Sequence, residues 1–327
     1  MLIAHSLAEL ARLPGADRPS VVTIGNFDGV HVGHQTVIAA ARSRAHAAEA
    51  RSVVVTFHPH PAHVLHTGPD SSRTRLITPL ARKLELLAET GVDLTLVLPF
   101  TNDLRTLTAR QFAQQVLCDA LHTIEIHEGE TFRFGHGAEA DISGLTELGA
   151  ELCFTVHAYQ PVVRRGAPVS SSRIRSLVTA GDLGTARALL GRSFSLDSTP
   201  AKGRGYGTRY AVPTINLATP FELLPANGVY VTALRIGSGP SAHTFSGVTN
   251  AGNRPTFGPD SYAIETHLFD FVPVDLTEDT PLRLTFLHRL REERRFPDPD
   301  ALKAQIGRDI AKAQRLLHLC KLLGTSV

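Results

Sequence analysis

The chain has 327 residues, of which 43% are hydrophobic and 20% charged, and its formal net charge is +2. That length exceeds the ~100–200 residues usual for one domain, so two compact domains are expected, each able to bury a core unaided. The near-neutral balance excludes the concentrated positive field of a dedicated nucleic-acid binder, no apolar run approaches the ~20 residues of a membrane span, and the scattered Cys118, Cys153 and Cys320 fit a reducing cytoplasm. Small molecules are therefore the expected partners, rather than nucleic acid or a membrane.

In the first half, strand-like and helix-like segments alternate. Val21–Ile24 reads as a buried strand, Gly33–Glu49 as an Ala-rich helix and Ser52–Phe57 as a second strand, which makes a βαβ unit. Pro79 opens another helix with an apolar face through Leu84, Leu86 and Leu87, and Gly91 ends it before the strand Leu94–Leu98. A helix over Thr108–Leu121 and a strand over Thr123–His127 follow. Parallel strands need crossover helices, so this order predicts an α/β domain with a doubly wound parallel sheet. Ser170–Leu190 is its last helical part, and the boundary is expected near 190. Beyond it, the β-branched runs Val229–Ile236, Phe245–Thr249, Ile264–Phe269 and Leu282–Phe286 are separated by Gly, Pro and Asn clusters, which predicts a small antiparallel β-barrel. Leu302, Ile306, Ile310, Ala313 and Leu317 recur at helical spacing, which predicts a terminal helix packed on that barrel.

Gly25-Asn26-Phe27-Asp28-Gly29-Val30-His31-Val32-Gly33-His34-Gln35 lies between the first strand and the first helix, where a doubly wound sheet binds ligands. Gly25, Gly29 and Gly33 let the backbone approach a phosphate chain, and the helix N-terminus offers N–H groups to negative charge. His31 and His34, three apart on one helix face, can both donate hydrogen bonds to phosphate oxygens as charge grows in a transition state. Two blander readings stand beside this one. A histidine here can be structural, and a histidine pair can hold zinc if His58 and His60 complete the set, although no cysteine accompanies them. Further on, the hydroxyls of Ser171 and Ser172 with Arg175 one turn later make a phosphate clamp, or equally an N-capped helix with a solvated arginine.

In the second half, Lys202-Gly203-Arg204-Gly205-Tyr206-Gly207 is glycine-rich but lacks the spacing of a P-loop, so by itself it reads as a surface turn. In Ile264-Glu265-Thr266-His267-Leu268, strand alternation puts Glu265 on the face opposite its apolar neighbours. There it is either a solvated carboxylate or one placed to accept a proton from a substrate hydroxyl.

The HxGH loop resembles that of nucleotidylyltransferases, and the run Thr23–Gln35 resembles the prokaryotic bifunctional riboflavin kinase/FMN adenylyltransferase (FAD synthetase) family. Thr56-Phe57-His58-Pro59-His60-Pro61 is similar to that family's TFxPHP, Gly129-Glu130-Thr131-Phe132-Arg133-Phe134-Gly135 to its GxDFRFG, and Ser170-Ser171-Ser172-Arg173-Ile174-Arg175 to its SSTxIR. In the second half Pro213-Thr214-Ile215-Asn216 is similar to its PTAN, Ile264–Leu268 to its VExHL, and Leu224-Pro225-Ala226-Asn227-Gly228-Val229-Tyr230 to its LPxxGVY. The resemblance implies a Rossmann-like nucleotidylyltransferase domain over residues 1–190, transferring AMP from ATP to FMN to give FAD and pyrophosphate. It implies a riboflavin-kinase-type β-barrel with a terminal helix over 191–327, phosphorylating riboflavin with Mg²⁺ and ATP.

By the same resemblance His31, His34 and Glu265 are catalytic. Gly25, Asn26, Phe27, Asp28, Gly29, Gly33, Thr131, Ser171, Ser172 and Arg175 bind the nucleotide of the adenylyltransferase, and His60, Pro61 and Phe132 its flavin. Gly203, Gly205, Gly207, Thr214 and Asn216 bind the nucleotide of the kinase, Thr214 and Asn216 holding the metal, with Arg291 and Phe296 lining its flavin site. The chain departs from the pattern at Thr131 and Ser172, which both keep a hydroxyl. It departs further at Gly207-Thr208-Arg209-Tyr210-Ala211-Val212 and Ser198-Thr199-Pro200, where the family reads GRxLGF and Gly-x-Val. That leaves open a C-terminal half that is a catalytically weak or regulatory flavin-binding module. A different HxGH transferase, using CTP on a phosphorylated alcohol, would explain the first half alone.

Overall fold

Val53, Val54 and Val55 are consecutive in one strand and all fully buried, which requires a sheet covered on both faces. They belong to a computed structural model that describes residues 1–65, 74–201, 214–218, 222–253 and 262–322. The chain divides into two compact units, Met1–Ser171 and Ser172–Val327.

In the first unit β1 (Leu2–Ala4), β2 (Ser20–Ile24), β3 (Arg51–His58), β4 (Leu94–Pro99), β5 (Thr123–Gly129) and β6 (Thr155–Tyr159) form one sheet. All of its neighbours are parallel, in the order β1-β4-β3-β2-β5-β6. The order reverses at β2, so the doubly wound sheet expected from the sequence has its topological switch there. Val54 packs with Ile38 of helix Val32–Ala47 and with Leu86 and Leu87 of helix Leu80–Glu89 on one face. Val22, Val53 and Val55 pack with Phe112, Leu117 and Leu145 on the other. The helix expected over Thr108–Leu121 is an α-turn, Ala109–Phe112, that widens to π-helical hydrogen bonding over Ala113–Ala120. Helix Ile142–Leu152, capped by Asp141 accepting from Ser143 and Gly144, was not anticipated. Neither was β6 or the short hairpin of β7 (Val163–Arg164) with β8 (Ala167–Pro168).

The second unit begins within helix Ser171–Ala180, at Ser172, and continues with helix Leu183–Leu190. The expected boundary near 190 and the observed division therefore differ by this segment. Contacts account for its grouping: the Ala226 N–H donates to Val178 at 3.3 Å, and Gly181 lies against Arg289 and Ala226.

Six antiparallel strands follow: β9 (Ser195–Ser198), β10 (Thr214–Leu217), β11 (Gly228–Ile236), β12 (His243–Asn253), β13 (Tyr262–Leu268) and β14 (Leu282–Arg291). Their order is β10-β13-β12-β11-β14-β9. Just past β9 the two edges meet, with Ala201 N–H donating to Asn216 at 2.8 Å and Ala218 N–H to Thr199 at 2.9 Å, so the sheet closes into the expected barrel. Its interior holds Tyr230 edge-on to Phe286 and a chain of hydroxyls, Thr232 to Thr249 at 2.7 Å and Thr249 to Thr266 at 2.9 Å.

Helix Pro299–Leu322 lies on the outer surface, where Ala313 and Leu317 cover Val229, Val231 and Leu290. The face expected to pack included Leu302 and Ile306, but these are 42% and 44% exposed. The buried positions toward the helix start are instead Gln305 and Asp309. Asp309 accepts from Arg291 Nε at 2.9 Å and pairs with its Nη2 at 2.8 Å, while Gln305 takes the guanidinium of Arg294. A polar latch thus rotates the helix away from its apolar stripe.

Asp309→Ala is expected to cost about 2 kcal/mol in urea unfolding, below the 3–5 kcal/mol typical of a fully buried pair because Arg291 stays 20% exposed. Adding Arg291→Met should recover part of that loss. An unchanged midpoint for the single variant would show that the pair does not hold the helix.

Candidate active sites

At the carboxyl end of β2 the ladder to β5 stops after Val22–Ile126. Past that point the Ile24 N–H donates to the side chain of Glu128, and Thr23 Oγ1 donates to it at 3.2 Å. Complete burial pushes the Glu128 carboxyl well above the usual range, against the pull of these two hydrogen bonds. A buried carboxyl thus occupies the fork where β2 and β5 part.

The chain then turns through Phe27, Gly29 and Val30, whose φ angles are +47°, +85° and +37°. Glycine is at ease there; a phenylalanine and a β-branched valine are strained. What holds them is Asp28. Its buried carboxylate accepts from the N–H of Ile77 at 3.0 Å and of Thr78 at 3.1 Å, and Gly29 N–H donates to Thr78 Oγ1 at 3.1 Å. Ser171 Oγ adds a hydrogen bond to the Asp28 carbonyl at 2.8 Å.

The loop delivers His31 as the N-cap of helix Val32–Ala47, its Nδ1 accepting from the His34 N–H at 3.3 Å. The proton of a neutral His31 then sits on Nε2. The His31 and His34 rings stack with centroids 3.6 Å apart and 13° between planes, and Phe27 meets His34 edge-on at 5.0 Å. A Cβ on Gly33 would come within 3.2 Å of the His31 ring, so glycine is what lets that ring lie over the first helical turn. His34 is pushed well below the ordinary histidine range, first by burial, then by His31 and Lys83 beside it. Its Nδ1 has no protein partner among the described residues.

Lys83 was not singled out from the sequence. It lies on the buried face of helix Leu80–Glu89 with Leu86 and Leu87. Its Nζ donates to the Asn26 carbonyl at 3.1 Å and Thr56 Oγ1 at 3.0 Å, directly under the loop. Burial lowers its pKa to about 8, opposed by the charge of Asp28. The signal was available, since a lysine three residues before Leu86 falls on the apolar stripe of that helix.

The remaining expected residues of this half are spread over neighbouring segments. His60 Nδ1 accepts from Ala62 N–H at 3.1 Å, and Pro61 opens helix Pro61–Leu65. Thr131 is exposed, while Phe132 is half-buried and stacks on Phe134 with centroids 5.6 Å apart. Exposed Ser172 and half-buried Arg175 lie in helix Ser171–Ala180. The zinc reading of His31 and His34 with His58 and His60 is not met. Among the described residues, the group with metal-ligand spacing is Glu125, His127 and His157.

In the second unit, half-buried Thr214 and Asn216 flank buried Ile215 on β10 and so share its outer face. Register sets Asn216 opposite Glu265 on β13, and Glu265 opposite Asn250 on β12. Ile264 and Thr266 point inward, which places Glu265 on the outer face as expected. Arg291 is held by Asp309 and lies 5.7 Å from the Phe296 ring, with Arg294 over the same ring at 5.0 Å. Gly203, Gly205 and Gly207 lie outside the described residues.

Comparison with known proteins divides along the same lines. The FAD synthetase family matches residues 13–173 and the riboflavin kinase family residues 190–317. A bifunctional riboflavin kinase/FMN adenylyltransferase of Pseudomonas fluorescens is 37% identical over 300 residues, 91% of this chain and 93% of the relative. One from Escherichia coli K12 is 34% identical over 322 residues, 98% of this chain and 99% of the relative. A crystal structure titled as a macrolide-efflux protein of Streptococcus pneumoniae superposes with a TM-score of 0.82 at 25% identity, covering 94% of this chain and 97% of that one.

The Lys83 environment has a measurable consequence. The unfolded chain keeps the lysine proton up to about 10.5, whereas the folded one releases it near 8, so stability rises with pH across that window and is lost as pH falls back through it. Relative to Lys83→Met, the wild type should gain about 3 kcal/mol between pH 8 and 10.5 in denaturant titrations. A flat difference would mean that the ammonium is solvated.

Proposed function

The chain belongs to the bifunctional riboflavin kinase/FMN adenylyltransferase family, and we propose that residues 1–190 carry its adenylylation of FMN to FAD and residues 191–327 its phosphorylation of riboflavin to FMN. Both are ATP-dependent transfers of FAD biosynthesis. A cytoplasmic place of action accords with three scattered cysteines, Cys118, Cys153 and Cys320.

The observation that carries the first assignment is the stacked His31–His34 pair over a helix N-terminus at the switch point of the sheet. ATP lays its phosphates along Gly25–His34, where the helix dipole and Lys83 favour negative charge. Asn26 and Phe27 shape the loop, and Asp28 acts through the fold it imposes on it. The FMN phosphate attacks the α-phosphorus, and pyrophosphate leaves. His31 and His34 donate hydrogen bonds to the oxygens on which charge accumulates, so the chemistry is positioning and charge stabilisation without a covalent enzyme intermediate. Thr131 and Ser171 complete the nucleotide contacts, and His60, Pro61 and Phe132 those to the flavin.

In the second half, Glu265 accepts the proton of the riboflavin 5′-hydroxyl as the γ-phosphoryl group is transferred. The Thr214 hydroxyl and the Asn216 carboxamide on one strand face are hard oxygen donors of the kind Mg²⁺ takes, and they would hold that ion. When bound, such an ion would supply charge neutralisation for the transferring phosphoryl group. Gly203, Gly205 and Gly207 approach the nucleotide, and Arg291 and Phe296 bound the flavin side.

Product assays starting separately from riboflavin and from FMN test this division. His31→Ala should cut FAD formation about 10²–10³-fold and leave FMN formation intact. Glu265→Ala should do the reverse. Loss of both activities in either variant with an unchanged circular dichroism spectrum would sink the division. Unaltered FMN formation in Glu265→Ala would favour a non-catalytic C-terminal module.

A further inference from the structure

On β5 and β6 a second cluster stands apart from the phosphate loop, in residues that neither proposed reaction uses. The parallel register sets His127 beside His157, and Glu125 lies two residues back on the same face of β5. Their side chains converge, with Glu125 Oε2 3.2 Å from His127 Nε2 and 3.4 Å from His157 Nε2, and all three ligand atoms within 4.8 Å of one another. In a tetrahedral site with bonds of about 2.0–2.1 Å, neighbouring ligand atoms are roughly 3.3–3.4 Å apart. Two of the three separations already have that value.

We propose that Glu125, His127 and His157 form a binding site for a borderline divalent transition-metal ion, Zn²⁺ foremost. Two imidazoles and one carboxylate suit such an ion better than Mg²⁺ or Ca²⁺, and three protein ligands leave the fourth position to water. His127 Nδ1 lies 2.7 Å from Tyr159 Oη, the outer hydrogen bond that fixes a metal-bound imidazole with its Nε2 lone pair toward the ion. The His127 side chain is 1% exposed and Glu125 10%, so the inner ligands are held by packing, while His157 at 44% gives an entry path.

Arg44 is the competitor. Its Nη2 and Nε lie 2.6 Å and 3.1 Å from the two Glu125 oxygens, so the carboxylate is shared between an ion pair and the site. Arg44 is 53% exposed on helix Val32–Ala47 and can release its hold into water when the metal enters. Beyond the cluster β5 runs through Gly129 into Thr131 and Phe132, so a metal there would clamp β6 to the strand that leads into these proposed nucleotide and flavin residues.

The test is metal titration of the chelator-treated full chain. Co²⁺ should bind at one equivalent with the intense visible absorption of four-coordinate cobalt, and Zn²⁺ should displace it. His157→Ala, on the exposed edge strand, should weaken Zn²⁺ binding about a hundredfold, and Tyr159→Phe about tenfold, each with an unchanged circular dichroism spectrum. Arg44→Gln should bind Zn²⁺ more tightly than the wild type. Wild-type affinity in both His157→Ala and Glu125→Gln would place the ion elsewhere and overturn the proposal. So would a purely six-coordinate cobalt spectrum, or no displacement by Zn²⁺.

Discussion

The phosphate loop depends on one buried carboxylate. Three of the four residues from Phe27 to Val30 have positive φ, each costing of the order of 1–3 kcal/mol where the residue is not glycine. Asp28, fourth of the set, accepts from two backbone N–H groups of Ile77 and Thr78, and hydrogen bonds to a charged acceptor contribute about 1.5–3 kcal/mol each. The two quantities are comparable, so the turn persists only while those donors face Asp28. Everything downstream inherits that geometry: the cap at His31, the close approach over Gly33, and the stacking of His31 on His34.

The groups around this turn suit the anion proposed to bind there. Lys83 is buried with two carbonyl oxygens and one hydroxyl as its hydrogen-bond acceptors, and Asp28 aids it through space. His34 is held neutral by burial and by its two basic neighbours. A polyphosphate over the helix N-terminus reverses the sign of those effects, because it supplies the negative charge that burial denied. In the proposed adenylylation a bound triphosphate would thereby make His34 and Lys83 more basic and strengthen them as donors while negative charge builds on the phosphorus.

Much of this was legible in the sequence because it was local. Strand-to-helix alternation gave the parallel sheet, and glycines interleaved with histidines marked its switch point. Alternation around Glu265 gave the face of β13. What escaped was set by partners far along the chain. Lys83 reads as an ordinary helical lysine until Asn26 and Thr56 are seen beneath it. Glu128 reads as a strand residue until the ladder ends beside it. The last helix shows how a clear period can mislead: Leu302 and Ile306 form a stripe, yet Asp309 and Gln305 bind arginines at the end of β14 and beyond it, and two charge-assisted contacts outweigh the burial of two half-exposed side chains. The cluster at Glu125, His127 and His157 spans two strands, and β6 carries too few apolar residues to announce itself.

In the barrel, register does for the kinase half what Asp28 does for the loop. Ile264, Thr266 and Leu268 fill the interior of β13, and the hydroxyl chain Thr232–Thr249–Thr266 fixes three neighbouring strands at one level. A slip of one residue would turn Ile264 and Thr266 to solvent and drive the Glu265 carboxylate into the core, at the cost of an unpaired buried charge. The packing that stabilises the barrel thus also fixes the face on which Glu265 meets Asn216. The last helix covers Val229 and Val231 on that same outer surface, where β11 lies two strands from β13. The core and the outward face of Glu265 are specified by a single choice of pairing, so the base proposed there needs no separate device to orient it.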